Sequence, residues 1–414
     1  MRDTELYRYL LGLKSPWSVS RVELNLEQQR VDAWAEHPQG LRWPCPECGQ
    51  ELALYDHSEE RVWRHLDSCQ FKTFLHAQPP RVNCSTHGVR QVRLPWAEPH
   101  ARFTALFERL AIDVLRETDI TGATRILRIS WDEAWHLMER AVARGQRAKG
   151  ERICPLLGVD EDAVAKGQKY MTLVYDLEQA TVEHIGDGRS QESLDGYFRG
   201  LTPAQVAGIE ALAIDMWDPF ARSILEHVPA AEDKIVYDRF HIMAHVGKAV
   251  DSVRKREHRA LTALGDETLK GSKYLWLYAV ENLPDKHRAR FAALRAAELK
   301  TGRAWAIKES LRVLWDYRSY AWAKRHWQAW YFWATHSRLD PIIAVARLIK
   351  RHLHNVLAYF DHPITNAVAE GLNSKIQTIK KAAYGFRNPA HFKIAVFFHC
   401  GGLDLYPATH GNPG

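Results

Sequence analysis

Two short apolar runs, each closed by an aspartate, constrain this chain most: Pro155-Leu-Leu-Gly-Val-Asp160 and Ala211-Leu-Ala-Ile-Asp215. Such runs have the length and composition of strands buried in a sheet, and a closing carboxylate then emerges at the sheet's edge, where a divalent ion can sit. A third acid, Glu370, lies far downstream in Asn366-Ala-Val-Ala-Glu-Gly-Leu-Asn373. On a helix starting with Pro363, Ile364, Val368, Leu372, Ile376 and Ile379 share one face. Asn366, Glu370, Asn373, Gln377, Lys380 and Lys381 share another, so Glu370 is presented rather than packed away. Two hard cations held about 3.5–4 Å apart by such carboxylates can activate a water or a 3′-hydroxyl and stabilise the leaving oxygen in phosphoryl displacement. The chain has 50 Asp and Glu residues, so chance placement after apolar runs stays open as the alternative.

At 414 residues and 46% apolar composition the chain can bury substantial cores and is expected to hold two to four domains. No run of 18 apolar residues occurs and the first residues lack a secretory pattern, so the expected location is the cytoplasm. Six cysteines in so long a chain argue for metal binding or free thiols rather than a disulfide framework.

The first hundred residues read as small strands and turns, for example Ser18–Leu24 and Gln29–Trp34. Cys45-Pro-Glu-Cys48 and Cys84-Ser-Thr-His87 form two knuckles, each followed by a glycine. A single structural zinc held by Cys45, Cys48, Cys84 and His87 fits this spacing, because four protein ligands leave no open position for catalysis. Cys69 competes for a place in the set. From Phe103 the period turns helical, with Phe103, Leu106, Phe107, Leu110 and Val114 as one stripe. A short helix through Ala123–Leu127 and a longer one opened by the capping box Ser130-Trp-Asp-Glu133 match a helix-turn-helix, a pattern that any pair of amphipathic helices joined by a short turn would share. The second helix carries a stripe of Trp131, Ala134, Trp135, Met138, Ala141 and Val142. Asp132 and Glu133 at its start would accept from bases rather than meet phosphate, while Arg125, Arg128, Arg140 and Arg144 are the candidate backbone contacts.

Strand patterns return at Leu156–Asp160, Tyr170–Tyr175 and Thr181–Ile185, then a helix near 191–200, then Glu210–Asp215 and Lys234–Asp238. Residues 242–360 look almost wholly helical and hold seven of the fifteen tryptophans, more often core than base-stacking platforms. Residues 241–360 carry 22 Lys and Arg against 10 Asp and Glu, a surplus of 12 against +6 for the whole chain. Such a concentration suits a phosphate backbone and equally suits the solvated faces of a helical bundle.

Taken in order, the Cys45/Cys48 and Cys84/His87 knuckles with Trp63-Arg-His-Leu-Asp67 between them, Gly158-Val-Asp-Glu161, Ala213-Ile-Asp-Met-Trp217, Tyr237-Asp-Arg-Phe-His241, Asn366–Lys375 and Tyr384-Gly-Phe-Arg-Asn388 resemble a bacterial insertion-sequence transposase of the DDE class, ISL-three-type. The resemblance spans about residues 10–400. It implies a multidomain α+β chain: a zinc-ribbon-like DNA-binding domain over 1–98, a helix-turn-helix over 99–150, and an RNase H-like core over 151–245 and 359–405. A helical insertion over 246–358 interrupts that core, and 406–414 form a tail. It further implies Asp160, Asp215 and Glu370 as ligands of catalytic Mg²⁺ or Mn²⁺, and His241 near the scissile phosphate with Asp238 beside it. Asn373, Lys380 and Lys381 would face DNA. Histidine at position 87, where relatives can carry a fourth cysteine, leaves the fourth zinc ligand the least fixed. The implied partners are double-stranded DNA, as terminal inverted repeats and target, and a second copy of the chain in a dimer or larger assembly. A DNA-binding regulator derived from a transposase and a nuclease that cannot join ends are the competing readings.

Overall fold

The computed structural model describes residues 2–165 and 169–408. The chain divides into two compact units, one of residues up to Gly150 with 390–399 and 403 onward, the other of Glu151–Pro389 with 400–402.

The first unit begins with α1 (Asp3–Leu10), which the sequence reading did not anticipate. Eight strands follow: β1 (Ser18–Asn25), β2 (Arg30–Glu36), β3 (Arg42–Pro44), β4 (Glu51–His57), β5 (Arg61–Ser68), β6 (Phe71–Ala77), β7 (Pro80–Cys84) and β8 (Gly88–Gln91). They form two four-stranded sheets, ordered β1-β2-β6-β5 and β3-β4-β7-β8. Trp17, Trp43, Trp63 and Trp96 are buried in their common core, with Trp17 4.7 Å from Trp96 and 5.6 Å from Trp43 between ring centroids. Large rings supply much buried area per residue, which suits sheets this short.

Three helices follow: α2 (Ala105–Glu117), α3 (Ile120–Leu127) and α4 (Trp131–Ala148). Thr104 caps α2, Asp119 caps α3, and Ser130 with Glu133 closes the reciprocal capping box of α4. Arg128 ends α3 in the left-handed region at φ +55°, which turns the chain sharply into α4. The expected stripe of α2 is rotated. Phe107, Ala111, Ile112 and Leu115 face the core, Leu110 is exposed, and Phe103 precedes the cap, bridging to Arg64. Trp131 is likewise exposed, whereas Ala134, Trp135, Met138, Ala141 and Val142 are buried as expected.

In the second unit, β9 (Leu156–Ala165), β10 (Lys169–Asp176) and β11 (Thr181–Asp187) make an antiparallel meander. After α5 (Gln191–Arg199) and α6 (Pro203–Ala207) come β12 (Ala211–Ile214), α7 (Asp218–His227), α8 (Ala231–Lys234) and β13 (Ile235–Tyr237). β12 runs parallel to β9 and β13 parallel to β12, giving the order β11-β10-β9-β12-β13. β9 does not stop at Asp160 as its apolar run suggested. Pairing with β10 carries it five residues further, while β12 accompanies it only over Leu156–Gly158.

The helical block is α9 (Arg239–Ala263), α10 (Lys273–Leu277), α11 (Asp285–Ala296), α12 (Lys300–Arg312), α13 (Tyr320–Thr335), α14 (Asp340–Arg351) and α15 (Leu353–Leu357). Trp276, Trp305, Trp315, Trp327 and Trp330 are buried here, in a core continuous with Leu157, Val159 and Leu212 of the sheet; Trp322 and Trp333 are exposed. The chain then returns through α16 (Ala367–Ala382), capped at Asn366 rather than opened at Pro363, and ends in α17 (Pro389–Cys400). His391 of α17 stacks on Trp135 at 4.1 Å within the first unit.

Candidate active site and zinc centre

The register of the second sheet brings two of the three acids together. Ala213 pairs with Gly158, so two residues further along these parallel neighbours Asp215 lies level with Asp160. Adjacent strands are about 4.8 Å apart, and residues level in parallel register point to the same face. The same counting on β13 sets Asp238 level with Asp215, since Ile214 pairs with Tyr237. Asp238 is buried and caps α9, accepting from the amides of Phe240 (2.9 Å) and His241 (3.4 Å). That cap orients the first turn of α9, and His241 Nδ1 comes 3.5 Å from Asp215 Oδ2.

α16 is fastened over β9 by one polar face. Asn366 is fully buried, donating from its amide to Asp238 Oδ1 (3.1 Å) and from Nδ2 to the Val159 carbonyl (3.4 Å). Asn373 Nδ2 donates to Asp160 Oδ2 (2.8 Å), Gln377 Nε2 to Asp162 Oδ1 (2.7 Å), and Lys380 Nζ to both oxygens of Asp162 (2.8 and 2.7 Å). Residues 366, 370, 373, 377 and 380 follow helical spacing, so Glu370 sits on this face between the residues that grip Val159 and Asp160. Gly158 lies beneath: a Cβ there would stand 2.8 Å from Asn366 Oδ1 and 2.8 Å from Leu177 Cδ2. Glu370 is exposed, and among the described residues the three acids do not form a cluster with ligand atoms all within 4.8 Å of one another.

Burial, aided by the Asp215 carboxylate, holds Asp160 above the usual carboxylate range, although the Glu161 amide, His241 and Asn373 pull the other way. Each oxygen of Asp160 already accepts one hydrogen bond, Oδ1 from the Glu161 amide at 2.7 Å. Asp215 Oδ1 accepts from the Met216 amide at 2.6 Å. Lone pairs remain on hard oxygen donors at a crowded negative site, which is the donor chemistry of a divalent cation. His245, one turn beyond His241, feels the same Asp215 charge; burial lowers its pKa. Asp162 and His245 were missed as site residues because the neighbours they meet depend on register and helix docking, which no local pattern carries.

Several expected DNA contacts point elsewhere. Lys380 is buried on Asp162, and Asn373 faces Asp160, so neither side chain offers itself to phosphate. In the first unit Arg144 is 11% exposed and paired with Glu98 (2.7 Å) and Glu108 (2.7 Å); Arg140 joins the same pair of acids at 3.0 and 3.3 Å. Arg128 bonds Asp67 and the Gln70 carbonyl. Sequence periodicity could not foresee these acids, which lie tens of residues away. Arg125 and Lys381 remain exposed.

The zinc knuckles meet as expected. Cys45, Cys48 and Cys84 Sγ and His87 Nδ1 all lie within 4.8 Å of one another. Cys48 and Cys84 are 3.8 Å apart, Cys45 and His87 3.9 Å, Cys84 and His87 3.5 Å. A tetrahedron with Zn–S of about 2.3 Å and Zn–N of about 2.0 Å has edges near 3.8 Å for S···S and 3.5 Å for S···N. Gly49 (φ +75°) and Gly88 (φ +70°) supply the left-handed residues that close each knuckle. Backbone amides of Cys48 and Glu47 lower the Cys45 thiol, and those of His87 and Thr86 lower Cys84, a shift towards the thiolate form that binds metal. Cys69 is exposed on the β5–β6 turn and outside this cluster.

Three family models match the chain in sequence order: "zinc-finger of transposase IS204/IS1001/IS1096/IS1165" over residues 41–87, "Helix-turn-helix domain of transposase family ISL3" over 92–142, and "Transposase", the ISL3 DDE model, over 157–396. Among curated relatives, the transposase for insertion sequence element IS1001 of Bordetella parapertussis is 29% identical over 96% of this chain and 98% of its own length. The transposase for IS1557 of Mycobacterium tuberculosis is 27% identical over 100% of this chain and 99% of its own. With its zinc finger, helix-turn-helix and DDE domain in this order, the chain belongs to the ISL3 family of insertion-sequence transposases, DNA-binding enzymes that cleave and transfer DNA strands.

Proposed function

We propose that Asp160, Asp215 and Glu370 are the catalytic carboxylates and that the second unit is an RNase H-like core interrupted by the helical block. The meander β9–β11 followed by two parallel strands supports the core reading, with the acids at corresponding levels of adjacent strands. The single observation that carries the site is the fastening of α16 across β9 through Asn366 and Asn373, which brackets Glu370 against the edge that holds Asp160. Bound Mg²⁺ or Mn²⁺ would supply nucleophile activation and leaving-group stabilisation in cleavage and in joining. Asp160 and Asp215 provide the fixed oxygens, and exposed Glu370 the adjustable one. His241, held by the Asp238 cap, offers a proton or hydrogen bond beside Asp215.

The zinc ribbon and helix-turn-helix recognise the terminal inverted repeats, with Arg125 of α3 as an exposed cation for phosphate; Lys381 of α16 is an exposed cation in the second unit. Two ends must be processed together, so the working form is a dimer or larger assembly on DNA. The test incubates the protein with an inverted-repeat duplex and Mg²⁺ beside Asp160→Asn. Nicking and joining, both abolished by the substitution, support the proposal. Nicking without joining indicates a nuclease, binding alone a regulator, and unchanged cleavage in the variant refutes the site.

A further inference from the structure

We propose that Asn373, with its amide set by Tyr175, is a positioning residue that fixes the Asp160 carboxylate against α16, the helix that carries Glu370. The inference rests on the carboxylate site proposed above and adds to it the two groups that hold it in register.

The hydrogen-bond roles follow from chemistry. An ionised carboxylate only accepts, so the edge of Asn373 that meets Asp160 at 2.8 Å must be its NH₂. The carbonyl Oδ1 is thereby turned to the Tyr175 hydroxyl, which must donate. Tyr175 is fully buried in β10, and burial, reinforced by the charges of Asp160 and Asp162, pushes its pKa well up, so the phenol keeps the proton that the relay requires. Leu173 of β10 pairs with Asp160, which places Tyr175 two residues along on the same strand face.

A chain of donors thus runs from Tyr175 through Asn373 to Asp160. Asn373 stands less than one turn beyond Glu370 on α16, so this bond also holds the helix segment that carries the third carboxylate against the first. Oriented outer-shell partners of this kind set ligand geometry and basicity, and their loss typically costs 10–100-fold in metal affinity.

The test is Mn²⁺ binding to the full, zinc-loaded chain, followed by calorimetry and by loss of the free-ion electron paramagnetic signal. Wild type is compared with Asn373→Ala, Tyr175→Phe and Asp160→Asn, and melting temperature and zinc content are measured for each. Tyr175→Phe keeps the ring and its packing and removes only the hydroxyl. The expected result is binding weakened about 10–100-fold by Asn373→Ala and about fivefold by Tyr175→Phe, with zinc content unchanged. Wild-type affinity in both variants, with binding lost in Asp160→Asn, would overturn the relay and leave the site standing. Unchanged binding in Asp160→Asn would refute the site and the relay with it.

Discussion

Lys380 and Asp162 form a buried ion pair, with side chains 10% and 7% exposed, that fastens the far end of α16 to β9. Lys380→Met removes the cation and leaves Asp162 with Gln377 as its remaining side-chain donor from α16. Breaking a buried pair from one side costs about 3–5 kcal/mol, because the survivor is an uncompensated charge in a poorly solvated place. Replacing both members by apolar residues is often neutral, so Asp162→Leu with Lys380→Met should recover most of the loss. At a urea slope of roughly 2–3 kcal/mol per molar, the single variant's midpoint falls by about 1–2 M. Hydrogen exchange of the β9 and β10 amides across a urea series reads this locally, free of the first unit's own transition. A single variant within about 1 kcal/mol of wild type, or a double variant as unstable as the single, would refute the reasoning.

Other consequences follow from neighbouring features. Gly158→Ala drives a methyl into Asn366 and Leu177, lifting the start of α16; cleavage should fall about 100-fold in a nicking assay, with zinc content and duplex binding unchanged. His65 is buried with Nδ1 on Thr104 and Nε2 on the Leu10 carbonyl, and burial lowers its pKa from 6.5 to about 4. Above pH 6.5 both folded and unfolded chains hold it neutral. As pH falls from 6.5 towards 4 the unfolded chain takes the proton first, so up to about 3 kcal/mol is lost across that window. Acid titration of stability in wild type should therefore be steeper than in His65→Gln, and equal slopes would contradict it. Chelating zinc should abolish inverted-repeat binding in a gel-shift assay while metal-dependent nicking of non-specific DNA persists; equal loss of both would break the proposed division of labour.

Local chemistry made much of this legible in the sequence. The capping box at Ser130 and Glu133, the strands expected at Ser18–Leu24 and Gln29–Trp34, and the zinc knuckles all depend on residues close in the chain, and each formed there, the strands with ends shifted by one or two residues to Ser18–Asn25 and Arg30–Glu36. Asp160 and Asp215 were found because apolar runs end at them, although β9 runs on past Asp160 through pairing that only β10 supplies. Long-range partners were not legible. Arg140 and Arg144 have the spacing of an exposed basic face, yet Glu98 and Glu108 turn them inward. Lys380 reads as a surface cation until Asp162, more than two hundred residues earlier, is set beneath it. Asn373 pointed towards DNA on the helical wheel and faces Asp160 in the fold, because a wheel shows which residues share a face but not what that face meets.

The most direct measurement is anomalous scattering from Mn²⁺ in crystals of the protein bound to a cleaved inverted-repeat end. The account expects metal at the Asp160 and Asp215 carboxylates, with the Glu370 carboxylate beside it. Metal bound away from Asp160 and Asp215, or Glu370 remote from the metal with the DNA end in place, would contradict it.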